Sequence, residues 1–156
     1  MRIRDAVPDD AAAACEMMRR SITELCAPDH DNDPVILGRW LSNKAPEIFR
    51  SRIQPGNSVL VAIDIESDNI LGVGCVTDEG EITLNYVSPD ARLRGVSTAL
   101  LADIEKRAIE RGNGACRLES TETARRFYRD RGYSEEGPAG RKFSTTSGYP
   151  MSTRFK

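Results

Sequence analysis

Histidine is almost missing from this 156-residue chain: His30 is the only one. A Ser-His or Cys-His couple would have to use it, yet it lies in Ala27-Pro28-Asp29-His30-Asp31-Asn32-Asp33-Pro34, where the turn formers predict a solvated loop residue. Triad hydrolysis is disfavoured on that ground. Cysteine is sparse as well. Cys15, Cys26, Cys75 and Cys116 stand far apart with no Cys-x-x-Cys pair, so the expectation is buried reduced thiols, no redox motif and no metal site. Long apolar runs are lacking: the longest are Ala11–Cys15 and Val59–Ile63, far short of the ~20 residues of a membrane span. The start, Met1-Arg2-Ile3-Arg4-Asp5, has no apolar stretch of the secretory kind, and a cytoplasmic location is expected. There are no internal repeats, low-complexity tracts or linkers, and 156 residues suit one domain, 1–156.

What is present is charge, and it is divided. Charged residues make up 29% beside 39% hydrophobic, a globular balance, and the net charge is only −2. Residues 1–87, however, carry 8 basic and 15 acidic side chains, net −7, while residues 88–156 carry 14 and 9, net +5.

Arg2–Ala6 alternates like a first strand. Pro8-Asp9-Asp10 opens a helix whose apolar positions include Met17, Met18, Ile22 and Leu25, and Pro28–Pro34 breaks it. Asp33 is placed to cap a second helix with Ile36, Leu37, Trp40 and Leu41, and Ala45–Ile53 reads as a third. The Val- and Ile-rich stretches Ser58–Ile65, Ile70–Thr77 and Glu81–Val87, separated by turn residues, read as an antiparallel meander. Helix (Arg94–Arg111), strand (Ala115–Glu119), helix (Thr121–Arg131) and strand material from Tyr133 and from Lys142 onward follow. The order predicts an α+β domain: a central mixed, mostly antiparallel twisted sheet flanked by helices.

The junction from Val87 to Leu101 runs from strand through turn into helix, which aims free backbone N–H groups and the positive helix end at one place. Gly95 lets the backbone approach closely, and Arg92 and Arg94 suit phosphate oxygens. Arg92-x-x-Gly95-x-Ser97, after Asn85-Tyr86-Val87-x-Pro89 and before Ala99-Leu100-Leu101, resembles the acetyl-coenzyme A signature of the GNAT N-acetyltransferase superfamily, Gln/Arg-x-x-Gly-x-Gly/Ala. Further on, Thr121-x-x-Ala124-x-x-Phe127-Tyr128-x-x-x-Gly132-Tyr133 is similar to that family's second landmark, Asn-x-x-Ala-x-x-Leu-Tyr-x-x-x-Gly-Phe. Arg125-Arg126 before Phe127-Tyr128 resembles a little-characterised bacterial branch. The resemblance implies a GNAT-like acyl-CoA N-acyltransferase fold, with acetyl-CoA held by Asn85, Tyr86, Val87, Arg92, Leu93, Arg94, Gly95, Val96, Ser97, Thr98 and Thr121. Leu93 stands where Gly is frequent, Ser97 where Gly or Ala is usual, and Thr121 where Asn is usual. The expectation for Leu93 is an ordinary right-handed helical conformation.

The resemblance further implies a ternary complex in which an amine attacks the thioester directly. Glu81 matches the family's base position, with Glu119 as a second candidate; the alternative for Glu81 is a solvated carboxylate beside a hairpin turn. Tyr128 matches the residue that gives a proton to the departing thiolate, and its alternative is core packing. A main-chain N–H near Tyr86-Val87, where family members splay the strand with a bulge, would meet the developing oxyanion. Asp29, Asp31 and Asp33 with Trp40 could draw a cationic small-molecule or peptidyl amine, or be a capped loop and a core ring. Arg125, Arg126, Arg129 and Arg131 could sense the coenzyme's 3′-phosphate or coat a helix. The charge of −2 argues against nucleic acid, and a homodimer is compatible with the chain. A non-catalytic acyl-CoA-binding sensor or interaction module on the same fold is the rival reading.

Overall fold

The apolar stretches in the middle of the chain form the expected meander, and its outermost strand is where two sheets part. The computed structural model describes residues 1–138 and 148–156. Strands β1 (Arg2–Asp5), β2 (Asn57–Ile63), β3 (Ile70–Thr77) and β4 (Ile82–Val87) make one antiparallel sheet in that order, and β5 (Ala115–Ser120), β7 (Tyr149–Arg154) and β6 (Ser134–Glu135) make a second. β2 stops at Ile63 because the Asp64 side chain accepts from Glu66 N–H at 2.9 Å and closes the turn there. The strand expected from Lys142 onward begins outside the described residues; those resume at Gly148, just before β7.

Both sheets are antiparallel throughout, and the single parallel contact in the described residues is the isolated Glu81–Arg117 bridge that joins them. The expected mixed, mostly antiparallel sheet is thus built as two antiparallel sheets joined by that one parallel bridge. Past Glu81, β4 has no strand on its outer edge in the described residues.

Helices cover both faces of the first sheet, and β2 and β3 are accordingly buried along nearly their whole length. On one face α1 (Ala11–Leu25) and α4 (Pro46–Arg52) bury Met18 and Phe49 against Val61, Val73 and Leu84. On the other, α5 (Val96–Glu110) sets Leu100, Leu101 and Ile104 against Leu60 and Val76. Gly74 permits that close approach: a Cβ there would sit 2.6 Å from Ile104 Cδ1. All four cysteines are free and buried. Burial pushes the Cys26 thiol up to about 12 and the Cys116 thiol up to about 11, which keeps them protonated at neutral pH.

Between α1 and α4 the chain makes a short helical turn, α2 (Ala27–His30), reverses through Asp31 and Asn32 at φ 51° and 56°, and re-enters a helix as α3 (Pro34–Leu41). Asp33 caps α3 as expected, accepting from Val35 and Ile36 N–H. His30 is a correction: it is fully buried rather than solvated. Its Nδ1 accepts from Asn32 N–H at 2.9 Å, so Nε2 donates to Ile22 C=O at 2.9 Å, and this neutral tautomer is spent on holding the turn. No helix in the described residues is long and apolar enough to cross a membrane.

Candidate functional site

After Val87 the chain turns through Pro89–Ala91, with Ser88 Oγ accepting from Asp90 N–H, then runs extended at Arg92. Leu93 and Gly95 both take positive φ, +64° and +78°, and α5 begins at Val96 with no side chain capping it. Leu93 therefore differs from the expected right-handed conformation. Left-handed residues in a turn gather backbone N–H groups on one side, and here Leu93 and Gly95 lead directly into the open end of a 15-residue helix. Arg92 and Arg94 are exposed beside it, and neither enters an ion pair in the described residues.

Ten of the residues expected at the coenzyme site and in catalysis line one cleft of about 420 Å³: Asn85, Tyr86, Val87, Arg92, Leu93, Gly95, Val96, Ser97, Thr98 and Tyr128. Arg94 points into a neighbouring groove with Arg20 and Asp90. Thr121 lies in the narrower gap between β4 and β5, where its Oγ1 accepts from Ala124 N–H at 3.1 Å. Phe127 and Arg131 also line the cleft. The Arg131 guanidinium lies 3.9 Å from the Phe127 ring centroid and donates to Thr98 Oγ1 at 2.7 Å, which singles it out from the arginines near it. Arg125 is instead paired with Glu122 and Glu135.

Tyr128 sits on α6 (Arg125–Asp130), 6% exposed, where cleft and gap meet. Asn85 Nδ2 donates to its hydroxyl at 3.0 Å, so the phenol's own proton is not used in that contact. Burial pushes Tyr128 up to about 12, outweighing the hydrogen bond from Asn85, and holds it protonated. Asn85 Oδ1 is buried with no partner in the described residues, an acceptor awaiting a donor at the cleft wall.

The edge of β4 adds donors. Ser88 N–H bonds to Leu71 C=O across the β3–β4 ladder, and alternation along an antiparallel pair then turns the N–H groups of Asn85 and Val87 away from β3, into the space between the sheets. The bulge expected near Tyr86-Val87 lies earlier, at the Cys75/Val76 register shift opposite Ile82–Leu84.

The predicted bases separate. Glu81 stands at the parallel bridge beside the β3–β4 turn and lines neither cleft nor gap, whereas Glu119 lines the gap with Asn85 and Tyr128. In the acidic loop the structure agrees with the capped-loop and core-ring alternative at Asp33 and Trp40, and differs from a solvated loop at Asp29. Asp29 is 7% exposed, and its carboxylate accepts from Glu122 N–H (2.7 Å), Thr123 N–H (3.2 Å) and Thr123 Oγ1 (2.6 Å). The turn it captures delays α6 to Arg125, past the predicted start at Thr121. Trp40 is 2% exposed in a core cluster with Ile22 and Cys26, its Nε1 donating to the Tyr86 hydroxyl at 3.3 Å. Nothing in the sequence periodicity marks the Asp29 tie, because its partners lie more than ninety residues away along the chain.

Known proteins share this architecture. The Acetyltransferase (GNAT) domain family model matches residues 26–154. No curated protein sequence matches the chain. Among solved structures, a GCN5-related N-acetyltransferase from Rhodopseudomonas palustris superposes with TM-score 0.86 at 24% identity, covering 99% of this chain and 95% of that one. The PaiA N-acetyltransferase from Thermoplasma acidophilum, solved in complex with coenzyme A, gives 0.85 at 19% over 99% and 98%. The ribosomal-protein-S18-alanine N-acetyltransferase from Escherichia coli gives 0.71 at 16% over 99% and 94%.

Proposed function

The chain belongs to the GNAT acetyltransferase family, and from that premise we propose that it moves an acetyl group from acetyl-CoA to a primary amine of a small molecule or peptide, by direct attack in a ternary complex. The residues present suit the coenzyme. The uncapped start of α5 and the unpaired Arg92 face where a pyrophosphate would lie, and the orphaned Asn85 Oδ1 can accept from an amide N–H of the pantetheine arm.

Acetyl-CoA supplies a thioester carbon open to a nucleophile. The amine must arrive neutral, although an alkylammonium has a pKa near ~10.4, so a proton leaves it first. Glu119, on the gap wall beside Tyr128, is the carboxylate placed to take that proton directly or through water, and the role passes to it from Glu81. As the nitrogen attacks, charge grows on the thioester oxygen, and the outward Val87 N–H is the donor available to it. The carbon–sulfur bond then breaks, Tyr128 hands its proton to the sulfur, and the surplus proton on the newly bonded nitrogen returns to the phenolate through water.

The observation that carries this reading is the Tyr128 hydroxyl: buried at the meeting of cleft and gap, fed a hydrogen bond by Asn85, its own proton uncommitted. Tyr128→Phe is expected to lower kcat by about 10²-fold or more while CoA affinity stays within about twofold, since general acid catalysis contributes ~10²–10⁴. In the same assay Glu119→Gln should lower kcat and flatten the rise of rate with pH, and Glu81→Gln should do neither. A fully active Tyr128→Phe enzyme would refute the proton-donor role.

A further inference from the structure

We propose that the acceptor amine also bears an oxyanion group, a carboxylate or a phosphate, held by Lys44 and Arg52 on the α4 side of β4. This deepens the acetyl-transfer reading and rests on it. Lys44 is 6% exposed, and in the described residues its Nζ donates to the Asn43 side-chain oxygen at 2.7 Å and lies 5.6 Å from the Tyr86 ring centroid. Arg52, half-buried at the end of α4, reaches Thr83 Oγ1 at 3.4 Å. Neither has a carboxylate within 4.0 Å in the described residues, and residues 139–147 contain no Asp or Glu. Two neighbouring cations, one of them buried, are therefore left without a counter-charge from this chain. Buried charges are ordinarily paired, because stripping an ammonium of water without compensation is expensive. Burial, reinforced by the Arg52 charge, holds Lys44 down to about 8, the mark of an ammonium short of an anion.

Their position fits a second group on the acceptor. Thr83 and Tyr86, which they contact, line the gap shared by Asn85 and Tyr128. An amine that reaches the reacting centre through that gap would carry its remaining substituent past Arg52 and Lys44. Two of the three loop acids that would have favoured a polycation are already committed: Asp29 to the turn before α6 and Asp33 to the cap of α3. Arg52 can fork onto two oxyanion oxygens, and Lys44 adds a point charge.

The test is a matched panel of amines of graded length, ω-amino carboxylates, ω-aminoalkyl phosphates, alkylamines and diamines, assayed by CoA release with wild type, Arg52→Gln and Lys44→Met. A charge-assisted hydrogen bond corresponds to about 10- to 100-fold, so one anionic series should exceed the neutral amines in kcat/KM by at least ~10-fold, and Arg52→Gln should erase most of that margin. Whichever series leads distinguishes carboxylate from phosphate. Diamines as the best acceptors, or a preference unchanged in both variants, would overturn the proposal. If no amine turns over, binding decides. Trp40, the only tryptophan, hydrogen-bonds to Tyr86, so its fluorescence in CoA-saturated protein should respond saturably to propionate or inorganic phosphate, and not in Arg52→Gln. Saturable anion binding without turnover would support the anion site and sink acetyl transfer to amines; neither turnover nor saturable binding would sink the anion site.

Discussion

Leu93 holds φ +64° with its side chain 94% exposed, so no packing offsets its backbone strain. The left-handed region costs a non-glycine residue about 1–2 kcal/mol, and glycine's extra freedom in the unfolded chain takes back about 0.5–1 of any gain. Leu93→Gly should therefore stabilise the protein by up to ~1 kcal/mol in thermal denaturation and leave CoA affinity intact, because the loop would bind through its backbone. Leu93→Val, β-branched at the same φ, should weaken CoA. A tenfold loss of affinity in Leu93→Gly would mean that the side chain itself contacts coenzyme. Lys44 gives the pH counterpart. Its folded pKa of about 8 lies below the free-lysine value, so between about 8 and 10.5 the unfolded state binds more protons and stability rises with pH. Below about 8 the penalty is constant and at its fullest. Lys44→Met, which keeps the stem and drops the charge, should melt higher than wild type at pH 7, and the margin should shrink as pH rises toward 10.

At the scale of elements, the first helical region and α6 are linked by one buried carboxylate. Asp29 in α2 receives three hydrogen bonds from the turn that launches the helix bearing Tyr128, so the α2 loop and Tyr128 are tied to each other by a single side chain. Replacing Asp29 by Asn keeps the size but sets an NH₂ against backbone donors. The expected loss is about 2–4 kcal/mol in denaturant unfolding, the range for spoiling a buried charged hydrogen-bond set. Turnover should fall while CoA affinity holds, and Asp29→Asn should add little to the defect of Tyr128→Phe if it works through that hydroxyl. Independent, multiplying effects of the two changes would show that the tie is structural alone.

At the scale of the molecule, the division of charge acquires a geometry. The basic portion begins at the loop that opens α5 and supplies Arg92 and Arg131 to the cleft. CoA should accordingly raise the melting temperature more than ATP does at equal concentration, by about 2.7 kcal/mol of stabilisation at a hundredfold excess over Kd, and the shift should decline with added salt. A larger shift with ATP would contradict the coenzyme assignment. The acidic portion does not supply a matching cation trap. Of its three loop acids, Asp29 and Asp33 serve the backbone, and the cations of α4 and the loop before it lie near β4 instead.

Local sequence determined whatever depends on neighbours in the chain: the meander and its turns, the Asp33 cap, the helix following Gly95, and the two motifs that identify the family. Hydrophobic period and turn chemistry are properties of a few consecutive residues, which is why they are legible there. Tertiary structure alone decided the rest. The split into two sheets at Glu81–Arg117, the left-handed Leu93, the burial of His30 and Asp29, and the placing of Glu119 rather than Glu81 in the gap beside Tyr128 all depend on contacts between distant segments. Two aspartates of one polar stretch end differently: Asp33 caps the helix that follows it, through N–H groups two and three residues on, whereas Asp29 becomes a buried tie to N–H groups more than ninety residues away. The first is written in the local pattern; the second depends on which unpaired N–H groups the fold brings within reach, and no local pattern encodes that.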